Sequence, residues 1–229
     1  NLQNAPDKTG GLTKQGTGRL TLTGTNRYAG TTNVEGGSLW VGGSITSDVA
    51  IKDGGTLGGT GDVGAITIQL GGYIAPGNSP GILHSGSQTW EGGGGYQWEI
   101  TAVSGDAGSQ WDLLDIQGDL TLTATAENPF SIDLYTLSIG GAAAALSGFD
   151  ATLPKSWQIA NVTGAVNGFD ASAIVVDASS FVNDLQGGSF SVSQASKGLV
   201  LNFSPVPEPG SVALLVAGFA GTLLRRRRL

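Results

Sequence analysis

The chain has 229 residues, among them 39 Gly, no Cys and no Met, with only 7% aromatic and 13% charged side chains. So much glycine, more than twice the usual ~7%, excludes long helices as the main element, because each Gly costs about 1 kcal/mol relative to Ala inside a helix. The formal charge is −7, and residues 1–204 alone, with seven basic and seventeen acidic side chains, carry about −10; an acidic body without a basic stripe excludes nucleic acid as a partner and suits a hydrated surface. Without Cys there is neither a disulfide framework nor a thiolate metal site. The length fits one or two domains, with one favoured for an all-β chain. Asn1 opens no basic and apolar leader, so a fragment or a processed product is expected.

From Gly10 the apolar runs are three to five residues long and alternate with Thr. Leu20 and Leu22 alternate with Thr21 and Thr23, Val34 follows Thr32, and Leu39 and Val41 flank Trp40, with Gly- or Asn-rich turns between them. Runs this short are strands, not helices. The stretch Gly11 to Val41, with its Gly-Leu-Thr-Lys start, Leu-x-Leu-x-Gly strand, Asn-x-Tyr-x-Gly and terminal Gly-x-Leu-x-Val, resembles the autotransporter-associated β-strand repeat. That resemblance implies one or two coils of a right-handed parallel β-solenoid. Paired glycines at 36–37, 42–43, 54–55, 58–59 and 71–72 are placed as corners would be. Their spacing is irregular and does not fix a coil length. Asp48 to Lys52 and Ala65 to Gln69 add strands with Ile and Val facing in and Thr, Lys or Gln facing out.

The block Ala75-Pro-Gly-Asn-Ser-Pro-Gly81 resembles one that follows such repeats in large bacterial surface proteins, and its two Pro-Gly pairs make rigid turns. Strands are predicted at Tyr96–Ile100, Leu113–Ile116, Leu120–Leu122, Ser156–Ile159, Ile174–Val176, Ser189–Val192 and Leu199–Phe203. Ala142 to Leu146 reads as one helical turn or a loop. Residues 1–123 are read as the solenoid repeat region, and 124–204 as final coils plus a cap that covers the open strand edges.

Val206 to Leu229 is a proline punctuation, an apolar segment and four arginines, Arg225, Arg226, Arg227 and Arg228. Ser211 to Leu224 as a helix reaches roughly 21 Å, short of a bilayer core of about 30 Å. The arginines stay on the cytoplasmic side, which places the body across the membrane. Pro207-Glu208-Pro209 followed by this segment and basic end resembles the PEP-CTERM sorting signal. The resemblance implies handling by an exosortase-type processing enzyme, transient membrane anchoring through residues 211–224, and delivery to the cell surface or beyond. An ordinary tail anchor is the competing reading.

Few constellations carry chemistry. Gly77-Asn-Ser-Pro-Gly81 spells the hydrolase nucleophile string, but the strand-like Ile82-Leu83 follows where a helix is needed, and the single His84 lies five residues after Ser79. Asp106, Asp112, Asp115 and Asp119 form the one dense acidic group; Asp112, Asp115 and Asp119 are candidates for calcium through hard oxygen ligands, against a reading as turn caps and solvated edges. Gly92 to Gly95 lacks the Lys-Ser or Lys-Thr of a phosphate cradle. Trp90, Trp98 and Trp111 offer an aromatic platform for sugar rings, although Trp98 alternates with Tyr96 and Ile100 as a core residue does. The strings Asn161-Val-Thr163 and Asn202-Phe-Ser204 are glycosylation acceptors in form only.

The expected fold is therefore all-β, a right-handed parallel β-helix with a C-terminal cap and a short hydrophobic C-terminal helix. The expected role is that of a non-catalytic structural or adhesive protein of the cell surface or extracellular matrix, with no cofactor and with exopolysaccharide or neighbouring surface proteins as partners. The alternatives are a carbohydrate-binding module using the three tryptophans and a polysaccharide-acting β-helix enzyme. An enzyme of that kind needs acids clustered with Lys, Arg or His, whereas the seven basic residues of this body are scattered from Lys8 to Lys197.

Overall fold

The computed structural model of the chain describes residues 2–4 and 9–207. Alternating apolar and Thr-rich runs form three-strand coils, the first built from Leu12–Lys14, Arg19–Leu22 and Thr25–Asn26. Each strand pairs in parallel with its counterpart one coil on, so three sheets run the length of the molecule, of seven, seven and eight strands. Leu12 registers with Thr32, then Val49, Ile66, Gln88, Leu120 and Val166. Successive coils thus take twenty, seventeen, seventeen, twenty-two, thirty-two and forty-six residues, which is why glycine spacing gave no period.

Most of the extra length enters at one corner, the rest in longer strands and in residues 123–129. Between the second and third faces the connections are residues 23–24, 42–43 and 60–61, then 77–81, 101–112 and 137–154. Short corners force close backbone stacking. Gly59 has φ +112°, and a Cβ there would stand 2.1 Å from the Val41 carbonyl oxygen, so only glycine fits without strain.

Inward residues stack in rows along the axis. Leu20, Leu39, Leu57, Ile74, Tyr96 and Ile132 form one such row on the second face. The first three coils have an aliphatic interior apart from Tyr28, whereas the wider later coils are filled by Trp90, Tyr96, Trp98 and Phe130, all with no exposed surface. Trp90 stacks on Phe130 at 4.6 Å between centroids and an angle of 13°. Polar side chains end the rows of the first coil, each with its bonds made. Lys14 Nζ donates to the carbonyls of Gln15, Gly16 and Gly36 at 2.9, 2.8 and 2.8 Å. Asn26 accepts from the Leu2 N–H at 2.8 Å and donates to the Gly24 and Ser44 carbonyls.

At the other end the parallel pattern stops. Gly198–Ser204 pairs antiparallel with Lys155–Val162, and Ser189–Ala195 pairs antiparallel with Gly198–Ser204. Phe149, Phe181, Phe190 and Phe203 pack under this hairpin at centroid distances of 4.9 to 5.1 Å. A hairpin with a mostly polar, exposed outer strand blunts the edge that an open coil would leave.

Ala142 to Leu146 is a loop tied by a bridge between Leu137 and Ala143, and the helical segment among the described residues is the single 3₁₀ turn Ala171–Ala173. The hydrophobic helix expected at 211–224 lies outside the described residues. Among those described, no helix is long and apolar enough to cross a membrane.

Candidate functional site

The Pro-Gly block forms a tight loop at the growing corner. Gly77, with φ +84°, and Gly81 close upon each other, since a Cβ on Gly77 would lie 2.2 Å from the Gly81 nitrogen. Between them Ser79, itself at φ +73°, donates its hydroxyl to Glu99 Oε2 at 2.6 Å. Asp112 lies fully buried beneath and accepts from the Gly81 N–H at 2.7 Å and the Glu99 N–H at 3.0 Å, while its own carbonyl receives Trp98 Nε1 at 2.8 Å. Asp112 therefore clamps the loop to the strand Gly95–Ile100.

No cation balances this pair of carboxylates among the described residues. Burial pushes the Asp112 carboxyl well above its ordinary range; the charge of Glu99 adds to that, and the two backbone bonds oppose it. Glu99 is also raised by burial, with the Ser79 bond opposing. Burial disfavours an ion wherever solvent cannot hold it. Tyr96, buried beside both, is raised by the same desolvation and by the two negative charges.

A second polar network lies on the outer surface of the third face. His84 Nδ1 meets Asp115 Oδ2 at 2.9 Å, and Asp115 also accepts from Gln117 at 3.0 Å and Asn161 at 2.7 Å. Partial burial raises Asp115, but the bonds from Asn161, His84 and Gln117 outweigh it and hold the carboxyl below its usual value. The hydrolase string thus separates into two sites: Ser79 is bonded to Glu99 and His84 to Asp115.

The acidic group does not converge on a metal. Asp112 serves the corner loop, Asp115 the outer network, and Asp119 accepts from the Ala165 N–H at 2.7 Å. No group of three or more His, Asp or Glu able to hold an ion occurs among the described residues.

Trp90 and Trp98 point into the solenoid and have no exposed face on which a sugar ring can stack. Trp111 is half-buried against the core, and its Nε1 donates to the Gln158 carbonyl at 3.2 Å. The tryptophan turned outward is Trp40. Its signal was present in the sequence, for Leu39 and Val41 on either side face inward and strand alternation sends Trp40 to solvent.

The last strand ends at Ser204, and Pro205, Val206 and Pro207 follow at the surface of the capped end, with Val206 and Pro207 exposed. Of the expected sorting residues, Pro207 is thus placed beyond the cap; Glu208, Pro209 and Arg225 to Arg228 lie outside the described residues.

Residues 12–41 match the family described as the passenger-associated-transport-repeat. Residues 205–228 match the PEP-CTERM protein-sorting motif. The chain carries both signatures of a bacterial surface protein. The repeat covers the first coil and the first two strands of the second, and the sorting motif begins one residue past the final strand.

Partial matches to curated proteins point the same way. An extracellular serine protease of Serratia marcescens is 51% identical over 75 residues, 33% of this chain and 7% of that protein. The adhesin BmaC autotransporter of Brucella suis biovar 1 (strain 1330) is 44% identical over 73 residues, 30% of this chain and 2% of that protein. Another Serratia marcescens extracellular serine protease is 43% identical over 76 residues, again 7% of its length. The chain spans less than a tenth of the length of these relatives.

Proposed function

We propose that this chain is a non-catalytic structural or adhesive protein, exported and displayed at the cell surface or in the extracellular matrix, and sorted by its C-terminal motif. The observation that carries the reading is the junction itself: a sorting motif starts at residue 205, directly after the antiparallel strand that closes the solenoid at Ser204. An exosortase-type enzyme would thus meet an exposed segment at the end of a finished fold, with residues 211–224 holding the chain in the membrane until processing. The role is architectural. Stacked coils bonded along three sheets make a stiff rod whose outer faces are free to contact polysaccharide or neighbouring proteins.

The separate bonding of Ser79 to Glu99 and of His84 to Asp115, with no cation paired to Glu99 or Asp112 among the described residues, supports the non-catalytic reading. The relatives named as proteases match through a stretch about a third of this chain long. Replacement of Pro207, Glu208 and Pro209 by alanine, followed by fractionation of the producing cells, tests the sorting role. The variant is expected to accumulate in the membrane fraction, and unchanged release refutes the assignment. Turnover of any member of a panel of acidic polysaccharides, lost in Asp112→Asn, would overturn the non-catalytic part alone.

A further inference from the structure

The outer surface of the second face carries one built pocket near its N-terminal end. Trp40 lies across Gly58 of the next coil, where a Cβ would come within 2.2 Å of the indole ring. Glycine at 58 is therefore the seat that lets the ring lie down. From the preceding coil Arg19 reaches over the same ring, its guanidinium carbon 3.9 Å from the centroid. A cation at this distance over an indole is held by the ring quadrupole, and more firmly for Arg than for Lys.

Around this pair Thr21, Gly42, Thr60 and Asn78 complete a pocket of about 270 Å³. It falls just under the ~300 Å³ at which small-molecule sites begin, so it suits a single ring. Its lining holds hydroxyls, an amide, an aromatic ring and a guanidinium, and no carboxylate. Among the described residues Arg19 forms no ion pair; the ion pairs present are Lys52 with Glu35 and His84 with Asp115. In a chain of net charge −7, an exposed guanidinium held in place without an acidic partner is a local reversal of sign.

We propose that this pocket binds one negatively charged sugar residue, a uronate unit of an acidic polysaccharide. The carboxylate takes the N–H donors of Arg19, whose fork matches its two oxygens. The edge of the indole and Gly42 meet the apolar side of the ring, and Thr21, Thr60 and Asn78 bond its hydroxyls. Arg19 is ordered before the ligand arrives, so less side-chain freedom is lost on binding. A chain of uronates passing along the face presents the same group repeatedly, which raises the effective concentration at this one site. The assignment rests on the surface or matrix role for its biological setting, while the binding is measured on purified protein and does not depend on sorting.

The test uses the full chain in mild detergent, with polygalacturonate as ligand, dextran as the neutral glycan and polyglutamate as the acidic peptide, read by affinity electrophoresis and titration calorimetry. Retention by polygalacturonate alone is expected. Arg19→Gln should weaken it at least tenfold, and Trp40→Ala comparably. Arg27→Gln changes the net charge equally at an exposed site outside the pocket and should leave binding within twofold. Equal losses in the two arginine variants, equal retention by polyglutamate, or no retention by polygalacturonate overturns the proposal. Failure to bind in a chain whose release still depends on Pro207 to Pro209 removes the pocket and leaves the sorting role intact.

Discussion

Asp112 is the group through which acidity should act on this fold. Its carboxylate is buried without a cation and beside a second carboxylate, and its folded-state pKa is raised. The folded state therefore holds a proton that the unfolded chain, with an Asp pKa of about 3.9, has already released. The stabilising contribution is complete below the unfolded value and is lost as pH rises through the folded one. Within that window stability should climb by up to about 1.4 kcal/mol per unit of acidification from this single site. Glu99 acts in the same direction but more weakly, because it is partly solvated. The oppositely shifted carboxylates, Glu35, Asp115, Asp150, Asp170 and Asp177, lose their contribution only as pH falls through their lowered values, below the ordinary carboxylate range. Work above pH ~5 leaves those groups ionised in both states. Chemical denaturation of the wild type and Asp112→Asn across this range, read as a difference so that other groups cancel, should show a wild-type gain on acidification that the variant lacks. Parallel pH profiles would refute the account of the corner clamp.

Other substitutions probe the remaining layers. Trp90→Ala removes a fully buried ring stacked on Phe130 and leaves Gln88 Oε1 without its indole donor, so a loss of about 3–5 kcal/mol in unfolding free energy is expected from denaturant titration. Lys14→Met strands three carbonyls at the first coil. A loss of about 1–3 kcal/mol should follow, together with faster hydrogen exchange confined to that end. Gly58→Ala displaces the Trp40 indole rather than any backbone, and should shift tryptophan emission and weaken uronate retention with little change in unfolding midpoint.

Strand alternation and glycine corners made the solenoid legible, because a period of two survives in every coil: Leu39 and Val41, Ile66 and Ile68, and Leu120 and Leu122 all face inward where expected. Coil length was hidden, since the insertions at 77–81, 101–112 and 137–154 break any repeat while leaving the strands in register. The closing hairpin was legible as strands but not as a reversal of direction, which depends on Gly198–Ser204 returning beside Lys155–Val162 from far along the chain. For the site, proximity in sequence misled. Trp90, Trp98 and Trp111 are near neighbours in the chain, yet alternation buries the first two, and Trp40 faces solvent because its neighbours do not. The close spacing of Asp112, Asp115 and Asp119 likewise distributes them over separate bonds instead of gathering them.

The widening of the coils has a mechanical consequence. Each coil is held by its neighbours, so unravelling proceeds from an end. The narrow, mainly aliphatic coils near Leu12 have less interior to lose than the aromatic coils around Trp98 and Phe130. A pull or a rise in temperature should therefore part the narrow coils before the aromatic ones. The aromatic coils, which lie next to the closing hairpin that ends at Ser204, are then the last of the described coils to yield.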